Sequence, residues 1–490
     1  MSFQLSPELG KNKIFLVRQS ELNDRLDPSF YIAVQNIKNN VTKKAKYRSD
    51  NLIKSCSINR GRFGHRPRND PRFYNGEYPF IQTGDIVKAS DNNSPIQYTQ
   101  TLNDRGLKTS RLFQPPKLLF TIAANIGDTA ILDYPSCFPD SVVAVIPKNE
   151  EISIEYLNIY LRLIKPYVVE LAPYTAQRNL NNQQLAQVPI VIPPKEIQNQ
   201  IITKMDMAYT AKKQKEAEAQ DLLDSIDGCL LAELGIELPE QKENTIQRRI
   251  FTRRLSEASG GRLDPKLYDN KTKAIKEAIS NTSYPTQKLK NLLVKSIAGD
   301  WGKDIAEKLG ASYQKCLVIR ATEFDNLFNL KLDNSRVKFR HIPKDKLKRM
   351  GIQKHDLLLE KSGGSPDQPV GRVAIITKET LKENNISYSN FIHKIRVSDQ
   401  VRPEYLFCFL KTVHSINLTD AMQSQTNGIR NLIMRDYFNQ TIPLPPIKKQ
   451  TEIASHITSI RNQAKQLQQQ AREELEQAKK EAEAMILGEL

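Results

Sequence analysis

The sequence predicts an α/β protein made of one unit written twice, each copy a mixed α/β domain followed by a long helix. Three observations predict it: a collinear internal repeat, short apolar runs broken by turn residues, and an apolar spacing of four and three residues after each double proline.

The repeat begins near the start of the chain. Ile14-Phe15, Arg18, Ser20-Glu21 and Arg25-Leu26-Asp27-Pro28 return, with one residue inserted, as Ile250-Phe251, Arg253-Arg254, Ser256-Glu257 and Arg262-Leu263-Asp264-Pro265. Ile81-Gln82-Thr83-Gly84-Asp85-Ile86 matches Ile319-Arg320-Ala321-Thr322-Glu323-Phe324, and Glu155-Tyr156-Leu157 matches Glu404-Tyr405-Leu406. Gln177-Arg178-Asn179-Leu180 answers to Ile429-Arg430-Asn431-Leu432, and Ile192-Pro193-Pro194 to Leu444-Pro445-Pro446. The predicted organisation is a first domain at 1–192, a helix at 193–234, a connection at 235–261, a second domain at 262–444 and a second helix at 445–490. Pro239, a cluster of charges and Gly260-Gly261 mark the connection.

Within the domains, the apolar runs at 118–122, 141–146, 356–359 and 373–376 read as buried strands. Helical patterns at 156–161 and 405–410 alternate with them, which makes each domain mixed α/β. After the second double proline Ile453, Ile457, Ile460, Ala464, Leu467, Ala471, Ala478 and Met485 trace a heptad seam, interrupted at Glu474 with Leu475 beside it. In the first copy Ile201, Met205, Ala208, Ala219, Leu222 and Ile226 follow the same spacing, interrupted by Lys212 and Lys215. A continuous helix from Glu196 to Leu234 would be ~58 Å long.

Composition bounds the function. At 490 residues and 39% hydrophobic content the chain has room for two to four domains with real cores. Its 72 Lys and Arg against 55 Asp and Glu leave +17, which points to a polyanionic partner, either nucleic acid or an anionic membrane surface. No apolar run approaches the ~20 residues that span a bilayer, and residues 1–13 lack the apolar core of a signal peptide. The expected location is therefore the cytoplasm, with no membrane partner. Cys56, Cys137, Cys229, Cys316 and Cys408 are scattered without CxxC pairing, so neither a disulfide framework nor a zinc site is expected.

Signatures of catalysis were sought as the rival class. The Pro-Pro pairs stand in Gln114-Pro115-Pro116-Lys117, Ile192-Pro193-Pro194-Lys195 and Leu444-Pro445-Pro446-Ile447, none of which fits the Asn/Asp-Pro-Pro-Tyr/Phe motif of an adenine methyltransferase. No nucleotide-binding loop, HExxH helix or GxSxG elbow is present. The expectation is a protein that is not itself an enzyme.

Three phrases carry a family resemblance. Gly76-Glu-Tyr-Pro-Phe-Ile-Gln-Thr-Gly-Asp-Ile86, then Glu360-Lys361-Ser362-Gly363-Gly364-Ser365-Pro366 with Pro369-Val370-Gly371-Arg372, then Ile442-Pro443-Leu444-Pro445-Pro446 ahead of Gln450 and Ile453, together resemble the specificity subunits of type I restriction-modification systems. The likeness covers nearly the whole chain and its duplication. It implies two target-recognition domains separated by two helices packed as an antiparallel coiled coil, with a pseudo-two-fold internal repeat. It also implies a two-part, asymmetric double-stranded DNA target with an unread spacer. The implied partners are two methyltransferase (modification) subunits, which use S-adenosylmethionine, and restriction/translocase subunits, which use ATP and Mg. No cofactor is expected in this chain. The alternatives are a coiled-coil interaction or decoy protein that borrows the architecture, and the specificity subunit of a related restriction system.

Candidate DNA contacts follow from residue chemistry. Arg60, Arg62, Arg66 and Arg68 lie on a run with Gly61 and Gly64, where the backbone can approach a phosphate and guanidinium groups fork onto phosphate or guanine; a solvated surface loop is the plainer reading. Gln82 and Thr83 end a predicted strand and either reach base edges or form a turn. Tyr174, Gln177, Arg178 and Asn179, and at the matching place Gln425, Asn427, Arg430 and Asn431, suit adenine and guanine edges but also suit helix caps. Lys361 and Ser362 open an amide-rich loop that either contacts a phosphate or is a structural turn. Trp301, beside Lys303, either stacks on DNA or packs in the core, and Arg320 occupies the position of Gln82 in the second copy. The candidate helix interface is Ile201, Met205, Leu222, Ile226, Ile453, Ile457, Ile460 and Leu467.

Overall fold

The repeated Leu-Asp-Pro phrase is a helix start. In the computed structural model the Asp27 carboxylate accepts from Ser29 N at 3.1 Å at the head of the helix Pro28–Ile37, and Asp264 accepts from Lys266 N at 3.0 Å at the head of Pro265–Tyr268. Aspartate satisfies a free amide there, and proline, which has none to offer, sits in the first turn. The structure describes residues 27–64, 69–173, 178–240, 245–246, 250–255, 263–307, 309–325, 327, 329–333, 336–364, 368–382, 385–426 and 428–490.

The chain folds as two compact units, one of residues 1–217 with 467–490, the other of residues 218–466. The first holds strands β1 (Arg48–Asn51), β2 (Cys56–Arg60), β3 (Tyr74–Phe80), β4 (Gln100–Leu102), β5 (Leu112–Phe113), β6 (Lys117–Thr121), β7 (Thr129–Leu132), β8 (Ser136–Cys137), β9 (Val142–Pro147) and β10 (Pro189–Ile192). Its main sheet has the order β2-β9-β6-β7, antiparallel throughout, and a second sheet runs β4-β3-β8-β5 with β3 and β8 parallel. The β-branched and apolar run of β9 is buried in the middle of the main sheet, where both faces are covered.

The second unit holds β11 (Thr286–Lys288), β12 (Leu293–Ala298), β13 (Tyr313–Ile319), β14 (Lys338–Pro343), β15 (Leu357–Glu360), β16 (Ser362–Gly363), β17 (Val373–Ile375), β18 (Ile386–Tyr388), β19 (Ile392–Val397), β20 (Gln423–Thr426), β21 (Ile429–Leu432) and β22 (Thr441–Pro443). Its main sheet is β12-β19-β15-β17 and its second sheet β14-β13-β18, with β13 and β18 parallel. The main sheet repeats the order of the first unit strand for strand, the second sheet repeats β4-β3-β8 without a counterpart of β5 among the described residues, and the pair β1-β10 recurs as β11-β22. The second unit adds the three-stranded sheet β16-β21-β20.

The long helices run Lys195–Glu233 and Ile447–Leu487, and each contributes to both units. In the first unit Lys204 pairs with Glu481 and Lys215 with Glu474; in the second, Glu233 pairs with Lys449 at 2.5 Å while Cys229 Sγ lies 3.6 Å from His456 Nδ1. Rising numbers meet falling ones in both, so the paired segments are antiparallel. Ile201, Met205, Ile226, Ile453 and Ile457 are buried as expected, and Ile460 and Leu467 are half-buried.

Two expectations along the seam need correction. Leu222 is only half-buried and Leu223 is the buried residue, and on the second helix the seam passes through Leu475 rather than breaking at Glu474. The reason is a four-residue step used twice in succession, from Lys215 to Ala219 to Leu223 and from Leu467 to Ala471 to Leu475. A helix of 3.6 residues per turn drifts off a strict seven-residue repeat, and this extra step brings the stripe back under the partner. The corrected seams then match position for position, Gln198 with Gln450, Ile201 with Ile453, Met205 with Ile457, and so on to Leu230 with Ala482.

No helix among the described residues is long and apolar enough to cross a membrane.

Candidate nucleic-acid interface

Strand register carries the candidate residues of each unit to one end of its main sheet. In the first unit β2 ends at Arg60, which is paired with Val143 near the start of β9; β6 ends at Thr121 opposite Val142. Ala123, just past β6, bridges Asn179, and Leu180 N donates to Ile122 O at 2.8 Å. Ile81 N donates to Cys137 O at 2.8 Å, which brings Gln82 and Thr83 beside the turn that leads into β9. Arg60, Arg62, Gln82, Thr83, Arg178 and Asn179, far apart in sequence, thus meet at the same sheet end.

The second unit repeats the convergence. Trp301 and Lys303 follow the end of β12; Lys361 and Ser362 follow the end of β15; Arg320 follows β13, where Ser389 N donates to Ile319 O at 2.9 Å. Ser362 pairs with Asn431 and Gly363 with Arg430, while Gln425 stands opposite Arg430. The Asn179 bridge of the first unit therefore reappears as the Asn431 pairing, at the same step of the repeat.

Individual roles separate on closer geometry. Gly61 was expected to let the backbone approach a phosphate; instead it is buried, and a Cβ there would lie 2.3 Å from Pro139 O and 2.4 Å from Phe138 O. Its neighbours do face solvent: Arg60 and Arg62 are exposed, with Arg60 Nε donating to Asp140 O at 2.6 Å. Gln82 donates from Nε2 to Gln100 Oε1 at 2.7 Å, and Thr83 opens the helix Thr83–Asn92. The turn Gln82–Asp85 is closed by Asp85 Oδ2 accepting from Gln82 N at 2.9 Å.

In the second unit the same turn is closed by Glu323, which accepts from Arg320 N at 2.6 Å and also from the Arg320 guanidinium at 2.6 and 3.2 Å. With a further bond to Arg336 O at 2.7 Å, Arg320 is committed to holding its own loop. Of the two readings of Lys361-Ser362 the backbone displays the structural turn: both amides donate to Phe391 O, at 2.8 and 3.2 Å, and the Ser362 hydroxyl donates to Asn431 Oδ1 at 2.7 Å. Amides spent inside the protein cannot wrap a phosphate. Trp301 takes the packing role, half-buried against Cys316, Val318 and Ile342, with Arg340 stacked over its ring at 4.8 Å.

What remains outward is Lys303, exposed and 3.8 Å from Glu307, and Gln425, exposed on β20; the Arg430 side chain is largely covered, 3.6 Å from Asp420. Arg66, Arg68, Tyr174, Gln177 and Asn427 lie outside the described residues.

Two neighbours escaped sequence reasoning. Arg340 lies on β14, where nothing in the sequence linked it to Trp301. His393, paired to Ser296 Oγ at 2.7 Å, sits beside Lys361; burial and then the lysine charge push its imidazole down to about 4, so it is neutral at pH 7.

Duplicated basic domains, each with polar and cationic side chains gathered at one sheet end, define a protein of the class that reads nucleic acid at two places. The family described as type I restriction modification DNA specificity domain matches residues 57–220 and 306–477, more than half of the chain, and the chain belongs to that family. The type I restriction enzyme EcoKI specificity subunit of Escherichia coli (strain K12) is 26% identical over 129 residues, a stretch that spans 26% of this chain and 27% of that relative. Among solved structures, one described as the structural basis underlying complex assembly and conformational transition of the type I R-M system aligns at TM-score 0.50 and 15% identity, over 90% of this chain and 96% of that one. A type I restriction-modification S subunit from M. genitalium aligns at TM-score 0.41 and 11% identity, over 90% and 96%.

Proposed function

We propose that this chain is the DNA specificity subunit of a type I restriction-modification complex. Each unit reads one half of a two-part, asymmetric double-stranded target. The observation that carries the reading is the duplicated convergence: one backbone frame, used twice, delivers different side chains to the same sheet end. A symmetric dimer of one reader calls for a palindrome, whereas two diverged readers in one chain do not. Arg60, Arg62, Lys303 and Arg430 anchor phosphates or fork onto guanine, and Gln425 and Asn179 address base edges, each good bidentate contact supplying roughly 1–3 kcal/mol of discrimination.

The long helices form an antiparallel coiled coil related by a pseudo-two-fold axis, and their length sets the spacer between half-sites. The chain does no chemistry itself. Two modification subunits bring S-adenosylmethionine and methylate the target, and restriction/translocase subunits bring ATP and Mg. The setting is the cytoplasm, where the DNA is.

The test is selection from a randomised duplex library by the assembled complex with its modification subunits. A bipartite, salt-sensitive consensus is expected, and its absence rejects the reading. Arg60→Ala with Arg62→Ala should then weaken recognition of one half-site and shrink the salt slope while assembly persists. Unchanged affinity removes those arginines from the interface.

A further inference from the structure

A one-base-pair change of spacer moves a half-site by ~3.4 Å along the duplex and rotates it by ~35° about the axis. Two readers on a common support discriminate that change only if neither swivels on its support. The junction between each domain and its long helix must therefore be stiff, and the structure contains the same buried fastening at both.

In the first unit Gln198, on the first turn of its helix, is fully buried. Its Nε2 donates to Glu151 O at 2.7 Å and to Pro193 O at 2.9 Å, and its Oε1 accepts from Ser153 N at 3.1 Å. One amide thus ties together the helix, the segment leaving β10, and the turn that opens the domain helix Ile154–Leu163. In the second unit Gln450 repeats every bond: Nε2 donates to Pro445 O at 2.9 Å and Gln400 O at 3.3 Å, and Oε1 accepts from Arg402 N at 2.7 Å, at the head of the domain helix Pro403–Ser415. A second tie lies on those same domain helices. Tyr156 OH donates to Val191 O at 2.7 Å, and Tyr405 OH donates to Pro443 O at 2.9 Å.

A buried amide with both its hydrogens and its oxygen engaged resists rotation in every direction at once, because any swivel strands a donor or acceptor away from water. Leucine or alanine in its place would still pack but would hold no angle. Hydrophobic contact is non-directional, so the duplicated choice of glutamine at this one buried step of an apolar seam calls for a directional role.

We infer that Gln198 and Gln450 are positioning residues for spacer-length discrimination: they lock each reading domain onto its long helix and act through it, touching no DNA. The inference rests on the two-part reading proposed above.

The experiment compares the assembled complex carrying wild-type chain with one carrying Gln198→Ala and Gln450→Ala, on duplexes that keep both half-sites and vary the spacer by one base pair either way. Wild type is expected to bind the altered spacers at least about tenfold more weakly, the scale of a lost base contact, and the variant to distinguish them by less than about threefold. Discrimination against a mismatch within either half-site should stay unchanged, a readout that a merely structural role would also move. As a second variant that keeps every packed carbon, Tyr156→Phe with Tyr405→Phe removes only two hydroxyls and should relax spacer discrimination partway. Retained strict spacing in the folded variants overturns the inference, as does loss of base discrimination in parallel with spacing. A wild-type complex indifferent to spacer length would instead remove the two-part reading itself.

Discussion

At the centre of the main sheet the two units place different chemistry on the same register. In the first, β6 and β9 set Leu119 opposite Ala144; in the second, β15 and β19 set Leu358 opposite Lys394. Lys394 is fully buried and donates to Asp356 Oδ2 at 3.0 Å, and Arg396 reaches the same carboxylate at 2.7 and 2.8 Å. The next turn differs in the same way. Thr121 Oγ1 accepts from Asp128 N at 2.9 Å in the first unit, whereas Glu360 binds the Arg372 guanidinium at 2.8 and 3.0 Å in the second. One backbone therefore tolerates either a neutral or an ionic side chain at these two steps. The difference teaches that topology and register define the frame, while the side chains filling it are free to diverge, in the interior as well as at the reading end.

The largest break in the comparison should come from Asp356→Ala. Removing one partner of a buried pair leaves the other charge uncompensated, which costs about 3–5 kcal/mol. Denaturant unfolding should lose that much from the second unit and nothing from the first, whose buried Asp128 keeps its own partner, Lys165, at 2.5 Å. Acid should reveal the same asymmetry. Burial on its own raises the Asp356 carboxyl, but the bonds from Arg396, Gln353 N and Lys394 outweigh it and hold the group below its ordinary value. A depressed carboxyl contributes stability above its unfolded pKa of ~3.9 and loses it as pH falls toward the folded value. The second unit should therefore soften first below about pH 4, and Asp356→Ala should abolish that step; an acid transition identical in wild type and variant would contradict the role of the cluster.

A smaller effect should strike both units alike. Gly61 follows β2 and Gly299 follows β12; a Cβ on Gly299 would lie 2.2 Å from Ser389 O and 2.3 Å from Tyr388 O, the counterpart of the crowding at Gly61. Neither backbone oxygen can yield cheaply, so Gly61→Ala and Gly299→Ala should each cost roughly 1–3 kcal/mol. A loss at one site only, read from thermal unfolding of the two variants, would mean that the frames are less alike than their strand orders.

These glycines mark where sequence reading stopped. The duplication, two strands of each main sheet (β6 and β9 in the first, β15 and β17 in the second) and the long helices were legible because each is a periodic or repeated signal. The Asp-Pro helix starts were visible as a repeated phrase, although only the structure gave them a reason. Gly61 was misjudged because glycine next to arginine looks the same whether its missing Cβ makes room for a phosphate or for Pro139. For Lys361 and Ser362 the sequence left phosphate contact and structural turn both open, since hydrogen bonds to Phe391 join segments thirty residues apart and leave no local pattern. Leu222 and Leu223 are adjacent and equally apolar, so a one-residue seam shift had no signal except the matching step through Leu475 on the other helix. The convergence of the candidate residues at one sheet end depended on register, which a single sequence does not display.

The smallest effect concerns the one stretch where the two seams differ. Lys212 and Lys215 stand where the second helix has Ala464 and Leu467. The lysine side chains are 21% and 26% exposed, and they reach Glu216 at 2.8 Å and Glu474 respectively. Partly exposed ion pairs of this kind contribute about 0–1 kcal/mol, so little is lost with them. Leucine at position 215 carries as many carbons as the lysine stem but no ammonium group to keep hydrated, so it can pack fully against the opposing helix for a small gain. Lys212→Ala with Lys215→Leu should thus leave stability unchanged or raise it by up to about 1 kcal/mol, measured by denaturant unfolding. The same change would erase a distinction between the helices, since a lysine at a seam position disfavours pairing with a second copy of itself through like-charge contact. The doubly substituted chain should therefore gain a tendency to pair between molecules, visible as a concentration-dependent rise in mass by sedimentation. Stability lost by more than 1 kcal/mol would assign the lysines an essential place in the seam, and the two helices would then be unlike in energetics as well as in sequence.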